Sequence, residues 1–444
     1  MRKGSTANAR ECALAVIVSC RRSGAWADAA LKAQLGKTAL SAQDAALCSR
    51  IVYGVMQNEL LLNWYLGAYC TQKLDHLQPP LADILRIGAY QILFLDKVPD
   101  HAAVSESVEL CRTNGRSAAS GLVNAVLRKV AQHKNDLPAL PRDTLSRLSI
   151  AYSHPKWLVE RLLALLGEEE AEQFLRIDNE AAPMTVQVNP LKTDGEALAR
   201  ELAGDGIEVT PHTMVPGCFE LSGTGDLTTL AAFYQGRFTV QDAAAKLVSC
   251  AAGFAKGQKV LDVCAAPGGK SFAAAFAMEN EGQILSCDLH ENKLKRIREG
   301  AQRLGITCIE TACADGRVFR AEWAGAFDTV LCDVPCSGLG IIRKKPDIRY
   351  KDEGELSSLP EIQRAILENS ARYVKAGGVL VYSTCTILPE ENEQVTDAFL
   401  ASHPDFTYEA FTLPDGTAAP GSLTLWPQRS GTDGFYLSRM RRKA

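Results

Sequence analysis

Apolar residues in the first third of the chain recur at three- and four-residue spacing. Ala13, Leu14, Val16 and Ile17, then Leu31 and Leu35, then Leu47, Ile51 and Val55, and later Leu81, Ile84, Leu85 and Leu93 form stripes, with Gly and Pro between the runs. Each stripe covers one face of a helix, so this region is expected to be an all-α domain. It is expected to end in the linker Lys134–Arg142, where Pro138 and Pro141 flank Ala139 and Leu140. A mixed segment follows, with helices over Trp157–Leu166 and Glu168–Ile177 and an extended run Met184–Val188 that stops at Asn189-Pro190. From Gly236 onward, short β-branched strands alternate with amphipathic helices, the pattern of a parallel α/β sheet. The expected division is residues 1–137, 138–235 and 236–444, with no internal repeat.

Length and composition agree with several domains, since 444 residues exceed what one hydrophobic core usually supports. An apolar fraction of 46% with 23% charged residues is that of an ordinary globular chain. The longest apolar runs are strand-length, so no membrane span is expected. Arg2 and Lys3 precede a Gly-Ser-Thr-Ala-Asn-Ala stretch that is no signal-peptide core, which places the protein in the cytoplasm. The 14 cysteines are scattered, mostly in apolar runs, and read as reduced thiols. A net charge of −4 means that a nucleic-acid substrate must be held by local patches. Arg343, Lys344, Lys345, Arg349 and Lys351 form one such patch. Lys293, Lys295, Arg296, Arg298 and Arg303 form another group, which reads as the solvated face of a helix.

Candidate chemistry begins at the loop Cys264-Ala265-Ala266-Pro267-Gly268-Gly269-Lys270, which joins the strand Val260–Val263 to a helix of small residues. Glycines at such a turn let the backbone approach a ligand and leave the helix N-terminal amides free to bind it. The loop is not a phosphate-binding P-loop, because Cys264 stands where the first glycine belongs, and it lacks the dinucleotide pattern G-x-G-x-x-G. Asp288 closes the next strand about 20 residues on, where nucleotide-binding folds place an acid for ribose hydroxyls. Asp315 and Asp333 follow at later strand ends. Acids at the C-terminal ends of successive parallel strands face one crevice.

Two cysteines sit in polar strand-end loops rather than in core runs: Cys336, in Asp333-Val334-Pro335-Cys336-Ser337-Gly338, and Cys385, in Ser383-Thr384-Cys385-Thr386. Thiols facing a cofactor crevice suit covalent catalysis. Cytosine C5 is a poor nucleophile, but a thiolate added to C6 pushes electron density onto C5, which then attacks an electrophilic methyl group. Asp333 is a candidate to hydrogen-bond the N3–N4 edge of the base. On chemistry alone, either thiol could be the nucleophile.

The motifs taken together resemble the Sun/RsmB family of bacterial 16S rRNA cytosine-5 methyltransferases, within the NOL1/NOP2/Sun group. The matching segments are Val240-Gln241-Asp242, the Cys264–Lys270 loop, Asp288 in Cys-Asp-Leu-His-Glu-Asn-Lys, Ala314-Asp315-Gly316-Arg317, the Asp333–Gly338 loop, Ser383-Thr384-Cys385 and Gly431-Thr432-Asp433-Gly434-Phe435. The resemblance implies that Cys385 is the nucleophile and that Cys336 assists product release. It also implies that the Cys264–Lys270 loop, Asp288, Asp315 and Asp333 contact S-adenosylmethionine, with Asp288 on the ribose and Asp315 near the adenine. His101–Val108 and Gly121–Arg128 resemble the NusB-type helical RNA-binding domain of family members, although His101 itself reads as a helix-start residue. The implied architecture is an N-terminal all-α NusB-like domain, a small α+β RNA-binding segment and a C-terminal Rossmann-like methyltransferase domain. The implied partner is 16S rRNA, free or partly assembled. Relatives often carry Arg-x-Asn where this chain has Gln187-Val188-Asn189, which weakens a phosphate-binding role for Gln187.

Other readings fit less well. A DNA cytosine methyltransferase would use the Pro-Cys thiol as nucleophile, and an adenine-N6 enzyme would carry Pro-Pro-aromatic where this chain has Pro335-Cys336. A non-catalytic RNA-binding factor would be marked by loss of Cys385 or of an acid, and all are present. No C-x-x-C pair occurs, which speaks against a structural zinc site.

Overall fold

The computed structural model describes residues 8–444, so Arg2, Lys3 and the start of the first expected domain lie outside the described residues. The chain forms two compact units. One contains the chain up to Glu180 together with Ile342–Lys351, and the other contains Ala181–Ile341 and Asp352–Ala444.

The first unit is helical, as the stripes predict. Asn8 caps the helix Ala9–Ser23 by accepting from the Arg10 amide, and Gly24 ends it at φ 63°. Ser41 caps Ala42–Gln57 in the same way. Ile17, Ile51, Ile84, Leu85 and Leu127, from the helices Ala9–Ser23, Ala42–Gln57, Leu81–Phe94 and Ser120–Gln132, are fully buried in one core. Gly88 is required there, since a Cβ would run into the Leu127 side chain. The helices Thr144–Tyr152, Lys156–Leu166 and Glu168–Ile177 also pack within this compact unit. Ser153, at φ 54°, accepts from the Leu61 amide at 3.1 Å and ties them to it.

Arg349 lies in this unit and is fully buried. Its guanidinium donates to the carbonyls of Gln57 (3.0 Å), Tyr152 (3.2 Å), Ser153 (3.4 Å) and Asp178 (3.2 Å), and to Asn179 Oδ1 (2.7 Å). Arg343 is also buried. The expected basic surface at 343–351 is therefore partly a structural anchor, because a planar fork of donors can satisfy several inward carbonyls at once.

The second unit opens with a four-stranded antiparallel sheet formed by β1 (Met184–Val188), β2 (Glu208–Pro211), β3 (Cys218–Ser222) and β4 (Phe238–Val240), in the order β2-β3-β1-β4. One face carries Val186, Val188, Phe219, Leu221 and Phe238 into a core with Leu198 and Leu202. Alternation puts Thr185, Gln187, Thr239 and Gln241 on the other face, and these too are buried.

The large sheet contains β5 (Lys259–Asp262), β6 (Gln283–Asp288), β7 (Ile309–Cys313), β8 (Phe327–Asp333), β9 (Val374–Thr384) and β10 (Phe406–Tyr408). After a small hairpin, β11 (Phe411–Thr412) with β12 (Ala418–Ala419), it is completed by β13 (Ser422–Leu425) and β14 (Phe435–Arg442). The order is β10-β14-β9-β8-β5-β6-β7, with β13 on β14. Strands β5 to β9 pair in parallel, whereas β14 is antiparallel to β9, β10 and β13. The sheet is thus mixed, not parallel throughout as expected. The short connection from β13 to β14 has no room for a crossover helix, so the chain can only return antiparallel. Because β6 and β8 flank β5 on opposite sides, the crevice at their C-terminal ends is the topological switch point.

Candidate active site

The loop after β5 is held by its backbone. Ala265 N donates to Cys287 O at 2.7 Å, and Gly268 N donates to Ala265 O at 2.7 Å. Gly268 adopts φ 112°, and a Cβ there would meet the Phe272 ring at 2.6 Å. Ala265, Ala266, Pro267 and Gly268 thus form the turn, and the helix Gly269–Ala277 starts directly from it. Cys264 lines a cavity of about 340 Å³ together with Asp288, Asp315, Pro335, Ile362 and Ile366. Two of the expected acids, Asp288 and Asp315, meet here, whereas Asp333 does not line this cavity. Asp288 accepts from the His290 amide at 2.9 Å. Asp315 takes both the Arg317 amide and its guanidinium, and the side-chain bonds to Arg317 hold its carboxyl below the usual range against a smaller effect of burial. Burial pushes the Cys264 thiol well above the ordinary value.

Asp262, at the end of β5, is fully buried. It accepts from Ser271 Oγ at 2.7 Å, and Ser271 in turn accepts from Ser286. Desolvation raises its pKa to about 7 despite the hydrogen bond from Ser271.

The second group of expected residues gathers at the ends of β8 and β9. Lys270 Nζ contacts Asp333 Oδ2 at 2.7 Å, and Ser383 Oγ donates to Asp333 Oδ1 at 2.7 Å. Burial opposes the Lys270 ammonium, yet Asp333 in contact, with Asp262 and Cys385 nearby, holds its pKa above the ordinary lysine value. Cys336 Sγ and Cys385 Sγ are 3.2 Å apart, and the Cys385 amide donates to Cys336 Sγ at 3.3 Å. The hydrogen bond to Cys385, then burial, then the charges of Cys385 and Glu391 raise Cys336 well above the usual thiol range. The two sulfurs are thus within hydrogen-bond reach of each other, and either can be the donor.

The sequence reading did not foresee the polar network beneath these thiols. Glu391 Oε2 accepts from the Ser337 amide (2.9 Å) and from Gln363 Nε2 (2.8 Å), while Gln363 also donates to Pro335 O (3.0 Å). Tyr382 donates its hydroxyl to Glu391 O, Thr384 donates to Asn392 Oδ1, and Asn392 Nδ2 donates to Thr386 O. Both cysteine loops are thereby fixed to one support. The motif Gly431–Phe435 reaches the same place: Gly434 N donates to Gly340 O at 2.8 Å, and Gly340 N donates to Cys385 O at 3.0 Å. A Cβ on Gly340 would strike the Gly434 backbone, which explains the paired glycines.

Of the residues in the second basic group, Arg303 is structural. It donates to the carbonyls of Phe233 and Phe238 and lies over the Phe233 ring. Gln187 is buried on the polar face of the small sheet. His101 occupies the first turn of the helix Asp100–Thr113, as a helix-start residue should. Among the described residues, no group of three or more His, Cys, Asp or Glu is arranged to hold a metal ion, and no helix is long and apolar enough to cross a membrane.

Three family models match the chain: the 16S rRNA methyltransferase RsmB/F model over residues 253–441, the NusB family over 7–132, and the RsmF/B-like ferredoxin-like domain over 154–228. The probable ribosomal RNA small subunit methyltransferase B of Bacillus subtilis is 36% identical, with 98% of each chain covered. The ribosomal RNA small subunit methyltransferase B of Sodalis glossinidius is 36% identical over 90% of each chain. The crystal structure of PH0851 superimposes with a TM-score of 0.80 at 28% identity, covering 99% of this chain and 100% of that one.

Proposed function

The chain belongs to the 16S rRNA methyltransferase RsmB/F family, and from that premise we propose that it transfers a methyl group from S-adenosylmethionine to C5 of a cytosine in 16S rRNA, through a Cys385–C6 adduct that Cys336 helps to resolve. The observation that carries this reading is the pair of thiols 3.2 Å apart beside the Lys270–Asp333 pair. At that distance a thiol on one sulfur can hydrogen-bond a thiolate on the other, which suits a nucleophile and its assistant.

The residues present fit the cofactor. The cavity at the switch point has an acid at the end of β6 for ribose hydroxyls, a second acid in Asp315, and apolar walls from Ile362 and Ile366 for a flat ring. When bound, S-adenosylmethionine supplies an electrophilic methyl group on a sulfonium.

Cys385, as thiolate, adds to C6 of the cytosine, and the electron pair of the C5–C6 bond moves toward C5. Asp333, held by Lys270 and Ser383, accepts a hydrogen bond from the N4 amino group and from N3 once N3 has taken up a proton from water, and that proton neutralises the negative charge that thiolate addition brings to the ring. After methyl transfer the C5 proton passes to water, its electron pair restores the C5–C6 double bond, Cys385 leaves as thiolate and the proton held at N3 returns to solvent. The Cys336 thiol, already aimed at that sulfur, stabilises the departing charge by hydrogen bonding. A base inside a structured RNA must be unpaired or flipped to reach these groups. Residues 1–137 and 138–235 are assigned to RNA binding, with free or partly assembled 16S rRNA in the cytoplasm as substrate.

Cys336→Ala tests the pairing. The variant should accumulate a protein–RNA adduct that survives denaturing electrophoresis, and Cys336→Ala/Cys385→Ala should not. Normal turnover without an adduct would remove the role of Cys336.

A further inference from the structure

Gln241 follows β4 and is 6% exposed, yet neither its Oε1 nor its Nε2 has a hydrogen-bond partner. Each buried orphan of this kind costs roughly 1–3 kcal/mol, so an amide with both ends unserved implies something that serves them. Its side chain lies against Gly269, where a Cβ would stand 3.3 Å from Nε2. Gly269 opens the helix Gly269–Ala277, which has no side-chain cap. Its first backward hydrogen bond runs from Phe272 N to Gly268 O, so the N–H groups of Gly269, Lys270 and Ser271 are the orphan donors of the first turn. An uncapped helix start, with its partial positive charge, and an unserved amide thus share one spot.

We infer that Gln241 binds the amino-acid end of S-adenosylmethionine: Nε2, together with the first-turn N–H groups, donates to the α-carboxylate, and Oε1 accepts from the α-ammonium. The inference rests on the reading that this loop holds that cofactor. An amide presents a donor and an acceptor side by side, and a zwitterion carries their complements on one carbon. An RNA phosphate would suit Nε2 and the helix start but would leave the Oε1 acceptor facing an anion. The placement also agrees with the rest of the loop. Cys264, at one end, lines the cavity suited to adenosine, and Gly269, at the other, touches Gln241.

The test compares two ligands by isothermal titration calorimetry on the full chain: S-adenosylhomocysteine, which has the amino-acid end, and 5′-deoxy-5′-methylthioadenosine, which lacks it. Gln241→Leu should weaken S-adenosylhomocysteine about 10- to 100-fold, the loss expected for hydrogen bonds to charged groups, and leave methylthioadenosine unchanged. Gln241→Asn, with the same chemistry on a shorter arm, should weaken only S-adenosylhomocysteine, and by less. Retained methylthioadenosine binding certifies the fold of each variant. Equal affinity of wild type and Gln241→Leu for S-adenosylhomocysteine would overturn the proposal and assign the amide to ordered water. An equal loss of both ligands in Gln241→Leu and Gln241→Asn would also overturn it, as a merely structural role. If the wild type bound neither ligand, the cofactor reading itself would fail.

Discussion

Replacing Arg349 with methionine keeps much of the apolar stem and removes the donors that serve four backbone carbonyls and Asn179 Oδ1. Summing five charged hydrogen bonds at about 1.5–3 kcal/mol each would overshoot, because they share one group. Two features reduce the loss: Nε has no partner, and burial depresses the guanidinium pKa, so the native charge already costs something. Leaving several buried carbonyls unserved at about 1–3 kcal/mol each, discounted because they share one donor group, makes about 3–5 kcal/mol the expected destabilisation. For a unit of this size it amounts to a fall of roughly 10 °C in the melting transition. Differential scanning calorimetry of the full chain reads that shift. Trypsin should also cut faster at Lys344, Lys345 and Lys351, because the segment Ile342–Lys351 loses its anchor. Arg349→Lys should fall in between, since a point charge cannot reach all the carbonyls. A shift below about 1 kcal/mol, with unchanged cleavage, would refute the anchoring argument.

Asp262→Asn removes a carboxylate whose folded pKa of about 7 lies above its unfolded value, so folding is disfavoured as pH rises from the unfolded toward the folded pKa. The melting temperature of the variant minus that of wild type should therefore climb between pH 5 and pH 8, and a flat difference would contradict the shift. Glu391→Ala strips the shared acceptor from the Ser337 amide and Gln363, and should cut kcat by tenfold or more through misplaced Cys336 while changing S-adenosylhomocysteine affinity less than about twofold. Gly434→Ala should lower kcat in the same way, because its Cβ would crowd the Gly340 backbone and Ile387.

Features written in local pattern were legible before the structure. Leu81, Ile84 and Leu85 are buried where the helical stripe places them, and the Cys264–Lys270 loop joins strand to helix as read. Cys336 and Cys385 meet because parallel strands bring their ends to one edge, which strand order alone makes probable. What sequence could not supply depends on distant partners. The acceptors of Arg349 come from three separate stretches of chain, so in sequence it is only one more basic residue in a run. Pro138 and Pro141 do mark a loop, but the helices after it pack back through Ser153 on the first unit, and no local signal shows that. Glu391 meets the Cys336 loop across 54 residues, which periodicity does not encode. The order of the two thiols comes from the family resemblance, since their mutual contact at 3.2 Å is symmetric.

The central claim is tested most directly by tritiated-methyl transfer from S-adenosylmethionine to naked small-subunit rRNA, comparing wild type with Cys385→Ala and identifying the labelled nucleoside. Labelled 5-methylcytidine is expected from wild type and none from the variant. Label in any other nucleoside, or undiminished transfer by Cys385→Ala, would contradict it.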